Sequence, residues 1–221
     1  MKRALCIGAS GGIGQALVAE LGLRGFKVDG LSRQADGLDI TDAMSVEGVL
    51  SKVSGVYDVV FLATGILTSE RARPEKALSA ITEEQMSEVF AVNAIGPALV
   101  LGRLGRLLSK ETPARIGVLS ARVGSIGDNR IGGWHSYRAS KAAVNQIVRG
   151  AAIEFARTHK GSVCVALHPG TVETPFTANY AGRHKTMPAS EAAGALVDVL
   201  FGLSPEQSGG FFDYAGKEVP W

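Results

Sequence analysis

Short apolar runs alternate along this chain with stretches whose apolar residues recur at helical spacing. RALCI (3–7) is apolar and ends in glycines, and IGQALVAELGLRG then repeats apolar positions three and four apart, as an amphipathic helix does. FKVDGLS (26–32) reads as a second strand, followed by a short Asp39-Ile40 segment and a modest helix around 45–53. YDVVFLA (57–63), RIGVLS (115–120) and SVCVALH (162–168) are nearly continuous apolar runs, the pattern of strands buried on both faces. Thr82 and Gln85 have the spacing of a capping box at the head of a long helical stretch, 83–109, which Asn93 to Pro97 should divide in two. Further helices are predicted at 136–158 and 189–202, and FFDY (211–214) is a last strand. Strand and helix in alternation predict an α/β fold: one domain over 1–221, a doubly wound parallel sheet of about seven strands flanked by helices.

Composition removes several alternatives. The 221 residues are 46% hydrophobic and 20% charged, with 28 glycines, which suits one α/β core with many tight turns. A net charge of +2 gives no strongly basic or acidic surface, so neither a nucleic acid nor a membrane is expected as partner. Cys6 and Cys164 each sit in an apolar run and read as reduced, buried thiols of a cytoplasmic protein. Four scattered histidines offer no metal site. The basic start breaks at Gly8, which marks a strand entering a turn and not a signal peptide, and no apolar run approaches membrane-spanning length.

Two motifs carry chemistry. GASGGIG (8–14) runs from the first strand into a helix, where glycines let the backbone approach a ligand and the helix N-terminus offers N–H groups to a pyrophosphate. Its G-x-x-x-G-x-G spacing differs from the common dinucleotide fingerprint. In HSYRASKAAV (135–144), Tyr137 and Lys141 are four apart and share one helical face. Alone, that pair reads as an ordinary helix edge with two polar tips in water. Beside a dinucleotide loop, it is a phenol whose proton a neighbouring ammonium can govern.

These motifs, with VNAIGP around Asn93 and HPGTVETP at 168–175, identify the chain as resembling the short-chain dehydrogenase/reductases over essentially its full length. GSIGDN…GGWHSYRASKAAVN and the ending FFDYAGKEVPW are similar to the C-factor-like and Sniffer-like carbonyl reductases. The resemblance implies an oxidoreductase in which Tyr137 is the acid/base, Lys141 lowers its pKa and holds the nicotinamide ribose, and Asn93 kinks a helix and holds a relay water. It further implies cofactor contacts from Gly8, Ser10, Gly12, Ile13 and Gly14; from Ala63, Thr64 and Gly65; and from Pro169, Gly170, Val172 and Thr174. Asp39 and Ile40 match the family's adenine-contacting pair. At the end of the second strand, an acid would select NAD(H), whereas this chain has Ser32 and Arg33, a hydroxyl and a guanidinium suited to a 2′-phosphate. NADP(H) is therefore expected over NAD(H).

Two departures from the family pattern stand out. Ala63-Thr64-Gly65 replaces an Asn-Asn-Ala-Gly segment, and VLSARVGS places Ala121 where the family has the serine that binds the substrate carbonyl. Ser120, one residue earlier, is the expected replacement, with Ser125 on the next loop close behind. Two functions remain open: reduction of a small carbonyl compound or oxidation of an alcohol, or a cofactor-binding signalling or redox-sensing scaffold with little turnover. The segment 173–190, with Phe176 and Tyr180, should cover the substrate pocket. A homo-oligomer is expected, paired through the helices near 93–109 and 136–157.

Overall fold

The computed structural model describes residues 1–70, 72–174, 176 and 186–221. Strand β1 (Arg3–Ile7) leads into helix α1 (Gly12–Leu23), and β2 (Lys27–Leu31) is followed by the short α2 (Arg33–Asp36) and by α3 (Ala43–Leu50). β3 (Val59–Leu62) precedes α4 (Glu83–Phe90), a π-helical turn (Ala91–Ile95) and α5 (Gly96–Leu104). β4 (Arg115–Leu119), α6 (His135–Thr158), β5 (Val163–His168), α7 (Ala189–Gly202) and β6 (Phe211–Asp213) complete the order.

Among the described residues all strand-to-strand pairings are parallel, in the order β2-β1-β3-β4-β5-β6, so six strands stand where about seven were expected. The difference is Asp39-Ile40, which forms a turn. The Asp39 carboxylate is occupied by the Thr41 amide and hydroxyl, at 2.9 and 2.7 Å. The chain leaves β1 for β2 on one side and returns to place β3 on the other. This reversal opens a crevice beyond the carboxyl ends of β1 and β3, where ligands of doubly wound sheets bind.

Because side chains alternate along a strand, the sheet feeds two cores. Leu5 and Ile7 join Val60, Leu62, Ile116 and Val118 beneath α5 and α6, while Ala4, Cys6, Phe61, Val165 and Leu167 meet α1 and α7 on the other side. Both cysteines are fully buried, one in each layer, and burial pushes each thiol up to about 12.

Local details correct the sequence reading. Thr82 caps α4 by accepting from the Gln85 amide, but the Gln85 side chain turns to the Arg73 amide at 3.1 Å, so the capping box is half formed. The break expected near Asn93 is a π-helical turn inside one 25-residue helix, Glu83–Leu107. That helix is long and apolar enough, by length and composition alone, to cross a membrane, which the reading of two shorter helices did not register. Here it serves the core: Val89, Val100 and Leu104 are buried, and it carries a fully buried amide.

The β1–α1 turn is the tightest point of the crevice. Gly8 has φ +91°, in the left-handed region, and an added Cβ would lie 2.8 Å from the Ala63 carbonyl group. Gly14 packs on it so closely that a Cβ would fall 2.1 Å from the Gly8 oxygen. Alanine normally improves a helix interior over glycine by about 0.8–1.0 kcal/mol, yet overpacking typically costs ~1–3 kcal/mol. Gly14→Ala is therefore expected to lower the denaturant midpoint. Gly22→Ala, on the same helix with nothing within 4 Å of the new methyl, is expected to raise it. Chemical unfolding of the two variants checks both signs.

Candidate active site

Two cavities lie along the crevice, of about 680 and 260 Å³, sharing Gly11, Ala63, Thr64 and Gly65. Among the described residues no side chain caps α1, whose first residues Gly12 and Ile13 line the larger cavity, so this end of the helix offers positive dipole to an anion. A Cβ on Gly12 would meet Thr174 at 2.6 Å, which makes this wall a cradle only glycine leaves open. Pro169, Gly170 and Val172 line the same cavity from the segment after β5, and Val172 pairs with Met187. Gly8, Ser10, Ser32, Arg33, Asp39 and Ile40 line the smaller one. Gly14 touches neither and is buried in packing.

At the β2 corner, Ser32 accepts from the Ala35 amide at 3.1 Å, and its own amide donates to Asp36 at 2.8 Å. The hydroxyl proton of Ser32 is thus uncommitted, and Arg33 makes no ion pair among the described residues. Asp29, earlier on β2, points to the far end of the sheet, where Arg3 and the Tyr57 hydroxyl hold it at 2.6 and 2.7 Å.

Helix α6 brings Tyr137 and Lys141 to the larger cavity, both buried, with the Lys141 ammonium 5.9 Å from the Tyr137 ring centre. Lys141 donates to the Leu119 carbonyl at 3.0 Å. The Tyr137 hydroxyl has no hydrogen-bond partner among the described residues. Burial pushes the Tyr137 phenol upward and the Lys141 ammonium down to about 8, since each charged form loses water. In the protein alone, burial therefore opposes the lowering of the Tyr137 pKa that the motif implies.

Asn93 lines neither cavity. It is fully buried in the π-helical turn, donating to the Ile66 carbonyl at 2.9 Å and to Ser140 at 3.1 Å while accepting from the Ile66 amide at 2.7 Å. Ser140 in turn donates to the Tyr137 carbonyl at 2.8 Å. Asn93 thus ties the segment after β3 to the helix that carries the Tyr–Lys pair.

Neither candidate serine offers its proton to the cavity. Ser120 lines it, but its hydroxyl donates to Asn145 at 2.6 Å. Ser125 is buried elsewhere, donating to the Pro220 carbonyl and accepting from the Asp128 amide at 3.1 Å. Ala121 lines the cavity as expected from its place. Of the expected lid, Phe176 lines the cavity with its ring 6.3 Å from that of Tyr137, while Tyr180 lies outside the described residues.

Several residues went unnoticed in the sequence. Asn145 lies one turn beyond Lys141, so extending the Tyr–Lys stripe by four would have found it. Glu75, buried in the loop before α4, receives the Ser136 amide and hydroxyl at the start of α6, and its carbonyl accepts from Trp134 at 2.5 Å. Trp134 has φ +52°, strained for a tryptophan. A carboxylate from a distant loop thus replaces a local cap, which no local signal predicts. His168 lines the cavity, its Nδ1 buried with no hydrogen-bond partner among the described residues, and burial lowers its pKa to about 4.

With this geometry, similarity to known proteins becomes informative. A family model described as enoyl-(acyl carrier protein) reductase matches residues 28–200. The chain belongs to the short-chain dehydrogenase/reductase family of oxidoreductases. It is 38% identical over 145 residues to the C-signal of Myxococcus xanthus, covering 66% of this chain and 84% of that one. It is 30% identical to a 1-hydroxy-2-glutathionyl-2-methyl-3-butene dehydrogenase of Rhodococcus sp. over the whole of both chains. The NADPH-bound carbonyl reductase from chicken fatty liver superposes with a TM-score of 0.82 at 25% identity, covering 100% of this chain and 99% of that one.

The buried pair makes stability depend on pH. Lys141 drops from 10.5 in free solution to about 8, so between these values the unfolded chain binds more protons and stability rises with pH. Tyr137 acts in the opposite sense only above its ordinary 10.0, where the unfolded chain ionises first. Stability of the ligand-free protein is expected to climb from about pH 8 to 9, above which the unfolded Cys6 and Cys164 thiols ionise first and oppose the rise, and Lys141→Met is expected to flatten that climb in denaturant midpoints measured at constant ionic strength.

Proposed function

We propose that the protein is an NADP(H)-preferring reductase of carbonyl compounds, or the corresponding alcohol dehydrogenase, with Tyr137 as acid/base. The observation that carries this reading is the buried Tyr137–Lys141 pair facing the same cavity as the uncapped start of α1. A nicotinamide dinucleotide held along Gly8, Gly11, Gly12, Ser32 and Arg33 would supply the hydride to the carbonyl carbon. Tyr137 gives its phenol proton to the oxygen as negative charge develops there, and its unpartnered hydroxyl keeps that proton available. Lys141 stabilises the phenolate left behind, and a lysine brought down to about 8 is matched to returning a proton near neutral pH. Asn93 keeps the loop at Ile66 and the Tyr–Lys helix in fixed relation.

For the cofactor, the Ser32 proton and the Arg33 guanidinium form a corner suited to a 2′-phosphate, while Asp36 is occupied by the Ser32 amide. The NADPH of the chicken carbonyl reductase and the dehydrogenase name of the Rhodococcus relative agree with this reading. Assembly through the long helices is consistent with Ile95 and Ile153, which stand 51% and 45% exposed on them. One observation favours a second reading, a cofactor-binding scaffold with little turnover. The hydroxyl protons of Ser120 and Ser125 are both committed, and the Myxococcus xanthus relative is named as a signal.

Losing a charge-assisted phosphate contact costs roughly ten- to a hundredfold in affinity. Arg33→Ala is expected to lose that much for NADPH and little for NADH in fluorescence titrations. Equal NADPH affinity in both proteins would rule out the assigned corner.

Across a panel of aldehydes, ketones and quinones, Tyr137→Phe is expected to abolish turnover while leaving cofactor affinity nearly intact. A properly placed oxyanion donor contributes a factor of about 10² to 10³, so Ala121→Ser is expected to raise kcat/KM substantially, and Ser120→Ala to change it far less. A variant Tyr137→Phe that kept most of the wild-type rate would exclude the acid/base assignment. No turnover in the wild type with a large gain in Ala121→Ser would favour the scaffold.

A further inference from the structure

The wall of the larger cavity that follows β4 carries charge out of balance. The loop between Ala121 and α6, with the first turn of that helix, contributes Arg122, Arg130 and Arg138 to the lining, against one carboxylate, Asp128. Asp128 is already taken: its Oδ2 lies 2.5 Å from Arg122 Nε. Arg122 also reaches Asp213 at 3.9 Å, so this arginine is the neutralised one. Arg130 and Arg138 have no acidic partner among the described residues.

Their remaining contacts orient them without cancelling their charge. Arg138 donates from Nε to the Gly133 carbonyl at 3.0 Å and from Nη1 to the Val123 carbonyl at 3.3 Å, which fixes its guanidinium and leaves Nη2 unused among the described residues. Partial burial disfavours its cation, an imbalance that an incoming anion would relieve. Arg130 is exposed, and its one hydrogen bond among the described residues goes to the carbonyl of its neighbour Asn129, at 3.3 Å. The same cavity is lined by the apolar Ile131, Trp134, Phe176 and Leu67, with the Trp134 and Phe176 rings 6.2 and 6.3 Å from that of Tyr137. Arg33, which lines the other cavity, is separate from this pair.

We propose that the substrate is a carbonyl compound with an apolar body and a carboxylate remote from the reacting carbon, and that Arg130 and Arg138 receive the carboxylate. The inference rests on the reductase reading and narrows its substrate class. A guanidinium fork matches a carboxylate in plane and charge, while the apolar stretch excludes a substrate that is polar throughout.

The test compares 4-carboxybenzaldehyde with 4-methylbenzaldehyde, nearly equal in shape and different in charge. With NADPH, kcat/KM is expected to favour the carboxylate by about ten- to a hundredfold, mainly through KM, and this preference should shrink as salt is raised. The ratio between the two compounds should collapse towards one in the double variant Arg130→Met/Arg138→Met. The single variant Arg130→Met, at an exposed position, should lower it part-way even if the double variant folds poorly. Equal kcat/KM in the wild type, or a preference that survives both substitutions, overturns the proposal. If neither aldehyde turns over, the reductase reading is what fails, and calorimetric affinities for the same two compounds still decide this one. Tighter binding of the carboxylate that is lost in Arg130→Met supports the arginine site, and equal affinities overturn it.

Discussion

The buried amide of Asn93 is the interaction on which the site depends. An amide side chain taken fully out of water must satisfy its oxygen and nitrogen inside the protein, and unsatisfied groups there cost on the order of 1–3 kcal/mol each. Asn93 meets this demand with both main-chain groups of Ile66 and with Ser140. The partners belong to the segment leaving β3 and to the helix of the Tyr–Lys pair, so satisfying one side chain fixes the two walls of the cavity against each other. Asn93 makes these bonds from within the π-helical turn, where it is fully buried.

A second constraint is the dryness of that arrangement. Tyr137 and Lys141 are held in a region where burial raises one pKa and lowers the other, so both favour their neutral forms. The pair is thus poised against its own chemistry until charge enters the cavity. Lys141 keeps its place through the Leu119 carbonyl at the end of β4, which couples the centre of the sheet to the reacting edge of α6.

Much of this was legible in the sequence, and the limits follow from what sequence patterns measure. The strands of the central sheet are continuous apolar runs because both faces are covered, and runs of that kind survive without any knowledge of neighbours. The glycine loop and the Tyr–Lys spacing are local and were readable for the same reason. Asp39-Ile40 was too short to decide between strand and turn. The directions of Ser120 and Ser125 were illegible because each is set by a partner far along the chain, Asn145 in one case and Pro220 in the other. Glu75 was hidden more deeply, since its role appears only when a loop sixty-one residues away meets the head of α6. The arginines of the cavity wall lie in a stretch without periodic pattern, and only the fold shows that Asp128 neutralises one of them.

The two cysteines bear on how the cavity can be watched at work. Both thiols are buried in opposite layers of the core, and their pKa values near 12 leave almost no thiolate at neutral pH. Maleimides and other alkylating probes attack the thiolate, so the native protein should stay unlabelled under conditions that modify an exposed cysteine within minutes. A single reporter cysteine placed at the rim, at Ile131 for example, could therefore carry a fluorophore without first removing Cys6 or Cys164. The core chemistry that keeps these residues silent makes the chain a ready background for site-specific spectroscopy.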